Sequence, residues 1–225
     1  MAGERVLGVD ACRGGWVGIA LEGDRIDAYF ATGISELVLA AAVDGELAVV
    51  AIDIPIGLPE QGYRQADVLA RAEIGPLWPS VFMTPTRAAL EAESYTAALE
   101  ICRRDGEKGI SVQAFGLRKR IKEVEDWSKA AQCRVVEVHP EVSFKQLAGK
   151  PLTAGKHTWA GIERRRQLLS EAEIQLPSDL GRAGTRAGVD DVLDAAAAAW
   201  SARRVVDGSA RTLPARPHPH CAIWV

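Results

Sequence analysis

Apolar and polar positions in the first quarter of the chain predict four strands and one helix. Residues 5–10 form an apolar run that ends on Asp10, and the strand-like runs 16–21 and 25–31 follow after short glycine-containing turns. Two turn-linked strand pairs in succession indicate an antiparallel meander. Apolar residues at helical spacing come next, and residues 47–53 are then apolar on both faces, which is typical of a buried parallel strand. The predicted order of elements is β-β-β-α-β.

The rest of the chain is predicted to be mainly helical. Residues 54–133 contain proline-rich loops and helical patterns, and a segment of this length between two core strands is typical of a lid or a binding elaboration. The elements predicted from residue 111 onward are, in order, helix 111–131, strand 134–139, helices 141–148 and 158–173, loop 181–188, helix 189–206, a proline-rich tail 212–220 and a short edge strand 221–225. We therefore expect a single domain over residues 1–225, with an insertion at about 54–133 between core strands four and five.

Composition indicates a globular chain and excludes several classes of function. Of the 225 residues, 48% are hydrophobic and 25% are charged, which excludes a disordered or fibrous protein. The formal net charge of -3 excludes a broadly basic protein that coats nucleic acid, but it allows an enzyme that contacts phosphates through a local patch or a metal ion. No apolar run approaches the ~20 residues of a membrane span. The four scattered cysteines, which include no CxxC pair, predict a reduced and hence cytoplasmic setting.

Carboxylates occupy places in the pattern where packing alone does not explain them. Asp10 and Asp53 each end an apolar strand, and the ends of strands are where α/β folds place their ligand sites. Asp191 and Asp194 share one face of the last helix because they are three residues apart, and the alanine run 195–199 lets that helix lie close to a sheet. Two such charges ~4 Å apart repel by about 4 kcal/mol at an effective dielectric of ~20. If they converge, the four carboxylates must share protons or bind cations.

The chemistry of such a cluster points to hard divalent cations. Oxygen ligands favour Mg²⁺ or Mn²⁺ over zinc. A pair of such ions about 3.5–4 Å apart would suit phosphoryl transfer, because it would clamp the attacking and leaving oxygens.

Each carboxylate also has a structural interpretation. Asp190 and Asp191 lie at the start of a helix, where capping and the helix dipole favour acids. Asp53 could cap a turn, and Asp10 could form an ion pair with Arg13. Only the joint pattern favours a functional site.

Glu137 and His139 share one face of the predicted strand 134–139, being two residues apart. Glu137 could add a metal ligand, and His139 could act as a proton shuttle. The alternative is that His139 caps the following helix or is a satisfied buried histidine.

Candidate contacts to substrate phosphates are Arg13, Arg87 and Lys156, although an ordinary solvated surface is the favoured interpretation of each one taken singly. The only dense basic runs are 118–122 and 164–166. Both lie on predicted amphipathic helices, which favours a solvated face over a nucleic-acid contact.

Five motifs carry a resemblance to a known family. They are Gly8-Val-Asp-Ala-Cys-Arg-Gly-Gly-Trp16, Ile52-Asp-Ile-Pro-Ile-Gly-Leu-Pro59, Ser80-Val-Phe-Met-Thr-Pro-Thr-Arg87, Glu137-Val-His-Pro-Glu-Val-Ser-Phe144 and Asp190-Asp-Val-Leu-Asp-Ala195. The chain resembles, over essentially its whole length, the bacterial family labelled "predicted RNase H-like nuclease". Ala66 departs from that family, in which a cysteine is often expected, and this counts against obligatory thiol chemistry there.

The resemblance implies an α/β fold of the RNase H-like type. Its five-stranded mixed sheet would hold three antiparallel strands followed by parallel ones, with flanking helices and a largely helical insertion. Asp10, Asp53, and Asp191 with Asp194 occupy the positions of that fold's acids. The family label rests on fold alone, so it supports nuclease activity only by association.

The main hypothesis is an Mg²⁺- or Mn²⁺-dependent phosphodiester hydrolase in which Asp10 bridges two ions and water attacks in line. Its substrate would be nucleic acid or a small phosphoester, with no membrane partner, and the insertion could also serve as a homodimer surface. One alternative is a phosphotransferase on the same sheet, as in actin-like kinases, although those use two such halves around a cleft. The other is a binding protein without turnover.

Overall fold

The computed structural model describes residues 3–105, 109–218 and 221–225. Its strands are β1 (Arg5–Cys12), β2 (Gly15–Glu22), β3 (Arg25–Ala31), β4 (Leu47–Ile52), β5 (Arg134–Val138), β6 (Thr212–His218) and β7 (Cys221–Trp224). Its α-helices are α1 (Ile34–Val43), α2 (Gln65–Glu73), α3 (Arg87–Leu90), α4 (Tyr95–Arg104), α5 (Val112–Gly116), α6 (Arg118–Ser128), α7 (Pro140–Ala148), α8 (Trp159–Glu171), α9 (Gly181–Arg186) and α10 (Val189–Val206). A 3₁₀ helix covers Gly75–Ser80. None of these helices combines the length and the apolar character that crossing a bilayer requires.

The strands form one mixed sheet in the order β3-β2-β1-β4-β5-β7-β6. β1, β2 and β3 pair antiparallel, whereas β4, β5 and β7 continue from β1 in parallel. The predicted mixed α/β sheet with flanking helices is confirmed. The sheet has seven strands, however, so the prediction of five was wrong.

The C-terminal segment accounts for the two additional strands. β7 pairs with β5, and β6 covers the other side of β7, so 221–225 is not the edge strand that the sequence predicted. The sequence did not predict β6, because Pro214 and Pro217 lack the backbone N–H groups that donate to a neighbouring strand. The register of β6 against β7 shifts between Leu213 and His218, which leaves both prolines in the irregular part of the pairing.

Two predicted boundaries after the fourth strand also differ from the structure. The single helix predicted over 111–131 is divided into α5 and α6, and the division falls after Gly116, a residue with low helix propensity. The predicted loop 181–188 contains the short helix α9, whose first N–H group, at Gly181, donates to Asp179 Oδ1 over 2.7 Å.

Side chains alternate between the two faces of the sheet along β1. Leu7 and Val9 belong to an apolar cluster with α1 and α6, whereas Val6 belongs to a cluster with α7, α8 and α10. Gly8 lies on the α10 face, where a Cβ atom would overlap the backbone of Ala195 and Ala199. The alanine run of α10 and this glycine therefore let the helix pack directly on the central strand.

Candidate metal centre

Asp10, Asp53 and Asp194 converge at one edge of the sheet. Each contributes a carboxylate oxygen, and these oxygens all lie within 4.8 Å of one another. Asp10 and Asp194 are 6% and 2% exposed, and Asp53 is partly exposed. We refer to these three groups as the carboxylate triad.

The backbone explains why the triad forms. Asp10 is two residues beyond Gly8, so it faces α10 as Gly8 does. β1 continues for two residues past Asp10, which pairs with Val17 inside the strand. The prediction that Asp10 ends this strand was therefore wrong. Asp53 directly follows β4, and its N–H group donates to Val9 O over 3.0 Å. Asp194 precedes the alanine run that packs against β1.

Burial and mutual repulsion make the triad hard to ionise. The pKa values of Asp53 and Asp194 are each raised to about 7, first by burial, which outweighs the lowering effect of Lys156, and then by repulsion from Glu141. Asp194 is also repelled by Asp53. Burial also raises the pKa of Asp10 well above its usual range, and repulsion from the other two members adds to that effect. Without a cation, the triad therefore retains protons at a pH where ordinary carboxyl groups are ionised.

Lys156 supplies the nearest positive charge. Its Nζ atom donates to Asp194 Oδ2 over 2.6 Å and lies 3.6 Å from an oxygen of Asp190. Burial opposes the charge of Lys156, but attraction to the triad outweighs it and raises the pKa of the ammonium group. The other oxygen of Asp194, Oδ1, is buried and has no hydrogen-bond partner in the described residues.

Asp191 does not join the triad. Its Oδ2 atom accepts a hydrogen bond of 3.0 Å from the N–H group of Gly188, which is half of a capping box at the start of α10. Burial raises the pKa of Asp191, which lines the same cavity as the triad. The neighbouring Asp190 contacts Lys156 and, at 3.4 Å, His157 Nδ1.

Glu137 is held in a buried ion-pair network. Its carboxylate accepts from the Arg64 guanidinium at 2.5 and 2.8 Å and from the Ile56 N–H group at 2.6 Å. Arg64 also donates to Asp67 Oδ1 over 2.6 Å. These contacts tie the loop after Asp53 and the start of α2 to strand β5.

His139 lies at the end of β5, beside the same cavity. Burial lowers the pKa of its imidazole, and its Nδ1 atom has no partner in the described part of the chain. The ring is therefore neutral near pH 7 and retains an unused nitrogen.

Glu141 is a buried carboxylate that was not among the site residues predicted from the sequence. Arg165, itself fully buried, donates to its Oε1 atom over 2.5 Å, while its Oε2 atom has no partner among the described residues. Repulsion from Glu141 contributes to the raised pKa values of Asp53 and Asp194. Its position two residues after His139, inside a family motif, was the available signal.

The two predicted arginine contacts lie away from the triad. Arg13 is exposed in the turn between β1 and β2, and the structure shows no ion pair between it and Asp10. Arg87 donates to Glu125 over 2.7 Å and lies 3.5 Å from Glu91, so its charge is used within the insertion. Neither arginine lines the cavity.

The triad lies in a cavity of about 610 Å³. Acidic side chains from the sheet and α10 line it. Apolar residues of the region between β4 and β5 line it too, among them Pro76, Leu77, Pro79, Val81, Phe82 and Leu117, together with the amide of Gln113. The cavity therefore combines carboxylates with an apolar wall.

Comparison with known proteins agrees with the family resemblance. Residues 8–219 match the model of a family described as "Protein of unknown function (DUF429)". Comparison with curated proteins and with solved structures gave no match. Because the family model covers nearly the whole chain, the protein belongs to the DUF429 family.

Proposed function

We propose that this protein is a divalent-metal-dependent phosphoester hydrolase whose metal ligands are Asp10, Asp53 and Asp194. The convergence of three carboxylate oxygens within 4.8 Å, two of them on buried side chains, carries the proposal. Bringing these groups together costs free energy, either through repulsion or through raised pKa values, and a bound cation would offset that cost.

The donor set fits a hard cation. All three groups offer oxygen, which favours Mg²⁺ or Mn²⁺ over softer metals. The unpartnered Oδ1 atom of Asp194 offers a lone pair to such an ion. A divalent ion held there would polarise a phosphoryl oxygen and make bound water a stronger nucleophile near neutral pH.

The surrounding residues supply positioning and charge. Lys156 fixes the orientation of Asp194 through its 2.6 Å contact and leaves positive charge close to an incoming phosphate. Asp191 caps the start of α10, and Asp190 helps to hold Lys156 in place. His139, neutral and with a free Nδ1 atom, can accept a proton from the nucleophile or return one to the leaving group. Arg64 and Glu137 brace the loop that carries Asp53.

We also assign the fold to the RNase H-like type, with residues 54–133 as an insertion that walls the cavity. The order β3-β2-β1-β4-β5, with β1 central, supports this assignment. So does the placement of the acids on the first strand, after the fourth strand and on the last long helix.

Asparagine substitutions in the triad provide the test. We expect Asp10→Asn and Asp194→Asn each to abolish Mn²⁺ binding in isothermal titration and Mn²⁺-dependent hydrolysis of bis(p-nitrophenyl) phosphate and nucleic acids. Circular dichroism should show that both variants keep the fold. Asp24→Asn, in the exposed β2–β3 turn, is the matched control and should bind and hydrolyse as wild type does. Full Mn²⁺ binding by both triad variants would exclude this site.

A further inference from the structure

The cavity beside the triad has the volume of a site for one small ligand. At about 610 Å³ it falls within the range of roughly 300–1,000 Å³ that small-molecule sites occupy. Its lining combines carboxylates with proline, leucine and phenylalanine side chains. A phosphate with an attached apolar or heteroaromatic group matches both parts of this lining.

The apolar part of the lining is rich in proline and includes the uncharged polar side chains of Ser80 and Gln113. Pro76 and Pro79 belong to the 3₁₀ helix, and Phe82 follows that helix by two residues. Leu117 completes this wall from the junction between α5 and α6. Gln113, also in the wall, carries an amide that both donates and accepts, so it can pair with the edge of a heteroaromatic ring.

The lysine and arginine side chains that line the cavity already contact acids. Arg64 is held by Asp67 and Glu137, and Lys156 by Asp194. Lys156 lies beside the triad, where it can reach the reacting phosphate. Within the described residues, the cavity lining offers no further lysine or arginine free of an acid partner for a second phosphate of a polymer.

The two dense basic runs of the sequence are partly paired with acids. In α6, Arg120 pairs with Glu123 and Lys122 with Asp126, whereas Arg118 donates to Phe115 O and Lys119 is exposed. In α8, Arg165 is buried against Glu141. Arg164 and Arg166, on either side of it, contact acids on the same helix. A protein that binds a polymer through many phosphates needs accessible cations along a continuous track.

We propose that the substrate of this site is a small nucleotide-like phosphoester, rather than a nucleic-acid polymer. This inference rests on the proposed hydrolase function. In the reaction, the oxygen of water forms a bond to phosphorus as the ester P–O bond breaks. The electron pair of that bond goes to the leaving oxygen, which takes up a proton, and the attacking water gives up one proton.

The experiment compares ligands on the full chain with Mn²⁺. The substrates are the p-nitrophenyl ester of thymidine 5′-monophosphate, single-stranded DNA, duplex DNA and single-stranded RNA. We expect kcat/KM for the small ester to exceed that for each polymer bond by about tenfold or more. Binding of the oligonucleotides should be no tighter than binding of thymidine monophosphate. It should also lack the loss of about 10³–10⁵ in affinity between about 50 and 200 mM salt that 6–10 phosphate contacts produce.

The apolar wall is tested by a pair of neighbouring variants. Phe82→Ala should raise KM for the aromatic ester about fivefold or more, because it removes a surface on which a ring can stack. Trp78→Ala is the control. Trp78 lies in the 3₁₀ helix that precedes Phe82, is 52% exposed and does not line the cavity. It should leave KM unchanged.

The outcomes separate this inference from the proposed function. Tight, strongly salt-dependent binding of polymers, with faster cleavage of polymers than of the small ester, would overturn the inference and keep the hydrolase. Mn²⁺-dependent binding of thymidine monophosphate without any hydrolysis would support the ligand class and overturn the hydrolase. Absence of Mn²⁺ binding would overturn both.

Discussion

At the scale of single residues, the triad makes the stability of the metal-free protein depend on pH. The pKa values of Asp53 and Asp194 are raised to about 7, whereas both groups ionise near pH 4 in an unfolded chain. The folded protein therefore binds more protons than the unfolded chain between about pH 4 and 7. Stability from these groups is present at low pH and is lost as the pH rises through 7.

The first prediction concerns this pH dependence. In EDTA, the free energy of unfolding of wild type relative to Asp53→Asn should fall by a few kcal/mol between about pH 5 and 8, at ~1.4 kcal/mol per unit of pKa shift. Urea unfolding at a series of pH values measures both proteins, and the difference cancels contributions from groups elsewhere. A wild-type profile that stays parallel to that of the variant would show that Asp53 titrates normally.

The second prediction separates Glu137 from the metal ligands. Glu137→Gln leaves the buried Arg64 guanidinium without its main counter-ion, so unfolding should require about 3–5 kcal/mol less free energy. Mn²⁺ affinity in isothermal titration should change much less than in Asp10→Asn. Glu46→Gln, an exposed carboxylate at the start of β4, is the stability control. A complete loss of Mn²⁺ binding in a folded Glu137→Gln protein would make Glu137 a ligand.

At the scale of elements, the contact between α10 and β1 sets the distance between Asp10 and Asp194. No side chain fits at Gly8, because a Cβ atom would meet backbone atoms of Ala195 and Ala199 rather than a movable side chain. Any larger residue must push the helix away from the strand, and with it one member of the triad.

The third prediction follows from that contact. Gly8→Ala should lower the free energy of unfolding by about 3 kcal/mol or more, at or beyond the upper end of ordinary overpacking, and should weaken Mn²⁺ binding. Chemical denaturation and titration of the variant measure the two effects. Gly116→Ala, at the end of α5, is the control because a Cβ atom there meets nothing within 4 Å. An unchanged Mn²⁺ affinity in Gly8→Ala would mean that the triad does not depend on this packing.

Elements with strong local patterns could be predicted from the sequence, and those defined by tertiary contacts could not. β1 to β4 and α10 follow from apolar periodicity and turn residues. β6 depends on pairing with β7, which the local sequence around its prolines does not encode. The same division holds in the site. The ends of the predicted strands indicated Asp10 and Asp53, although β1 continues past Asp10. The choice of Asp194 over Asp191 depends on which residue caps α10.

Glu141 and Arg165 show the same limit across a longer distance in sequence. Their ion pair joins α7 to α8, and nothing in either local pattern states that the two will meet in the interior. The sequence did identify Lys156, but its pairing with Asp194 depends on how the loop before α8 folds against α10.

At the scale of the whole molecule, a divalent ion would complete a charge balance that the chain alone leaves open. The ionised triad and Lys156 together carry two net negative charges in the interior, and one divalent cation cancels them. An ion that binds only the folded state stabilises it in proportion to its excess over the dissociation constant.

The fourth prediction is a thermal shift that grows with pH. At about 100 times its dissociation constant, Mn²⁺ should add about 2.7 kcal/mol of stability, and a chain of this size gains about 2–4 °C in Tm for each kcal/mol. The expected increase is therefore about 5–10 °C at pH 8. At a fixed Mn²⁺ concentration the increase in Tm should shrink toward pH 6. The pKa values of Asp53 and Asp194 are raised, so protons compete with Mn²⁺ for these two carboxylates at that pH. Differential scanning calorimetry with Mn²⁺ or EDTA measures the shift. Asp194→Asn should remove it, and an equal shift in that variant would place the ion elsewhere on the molecule.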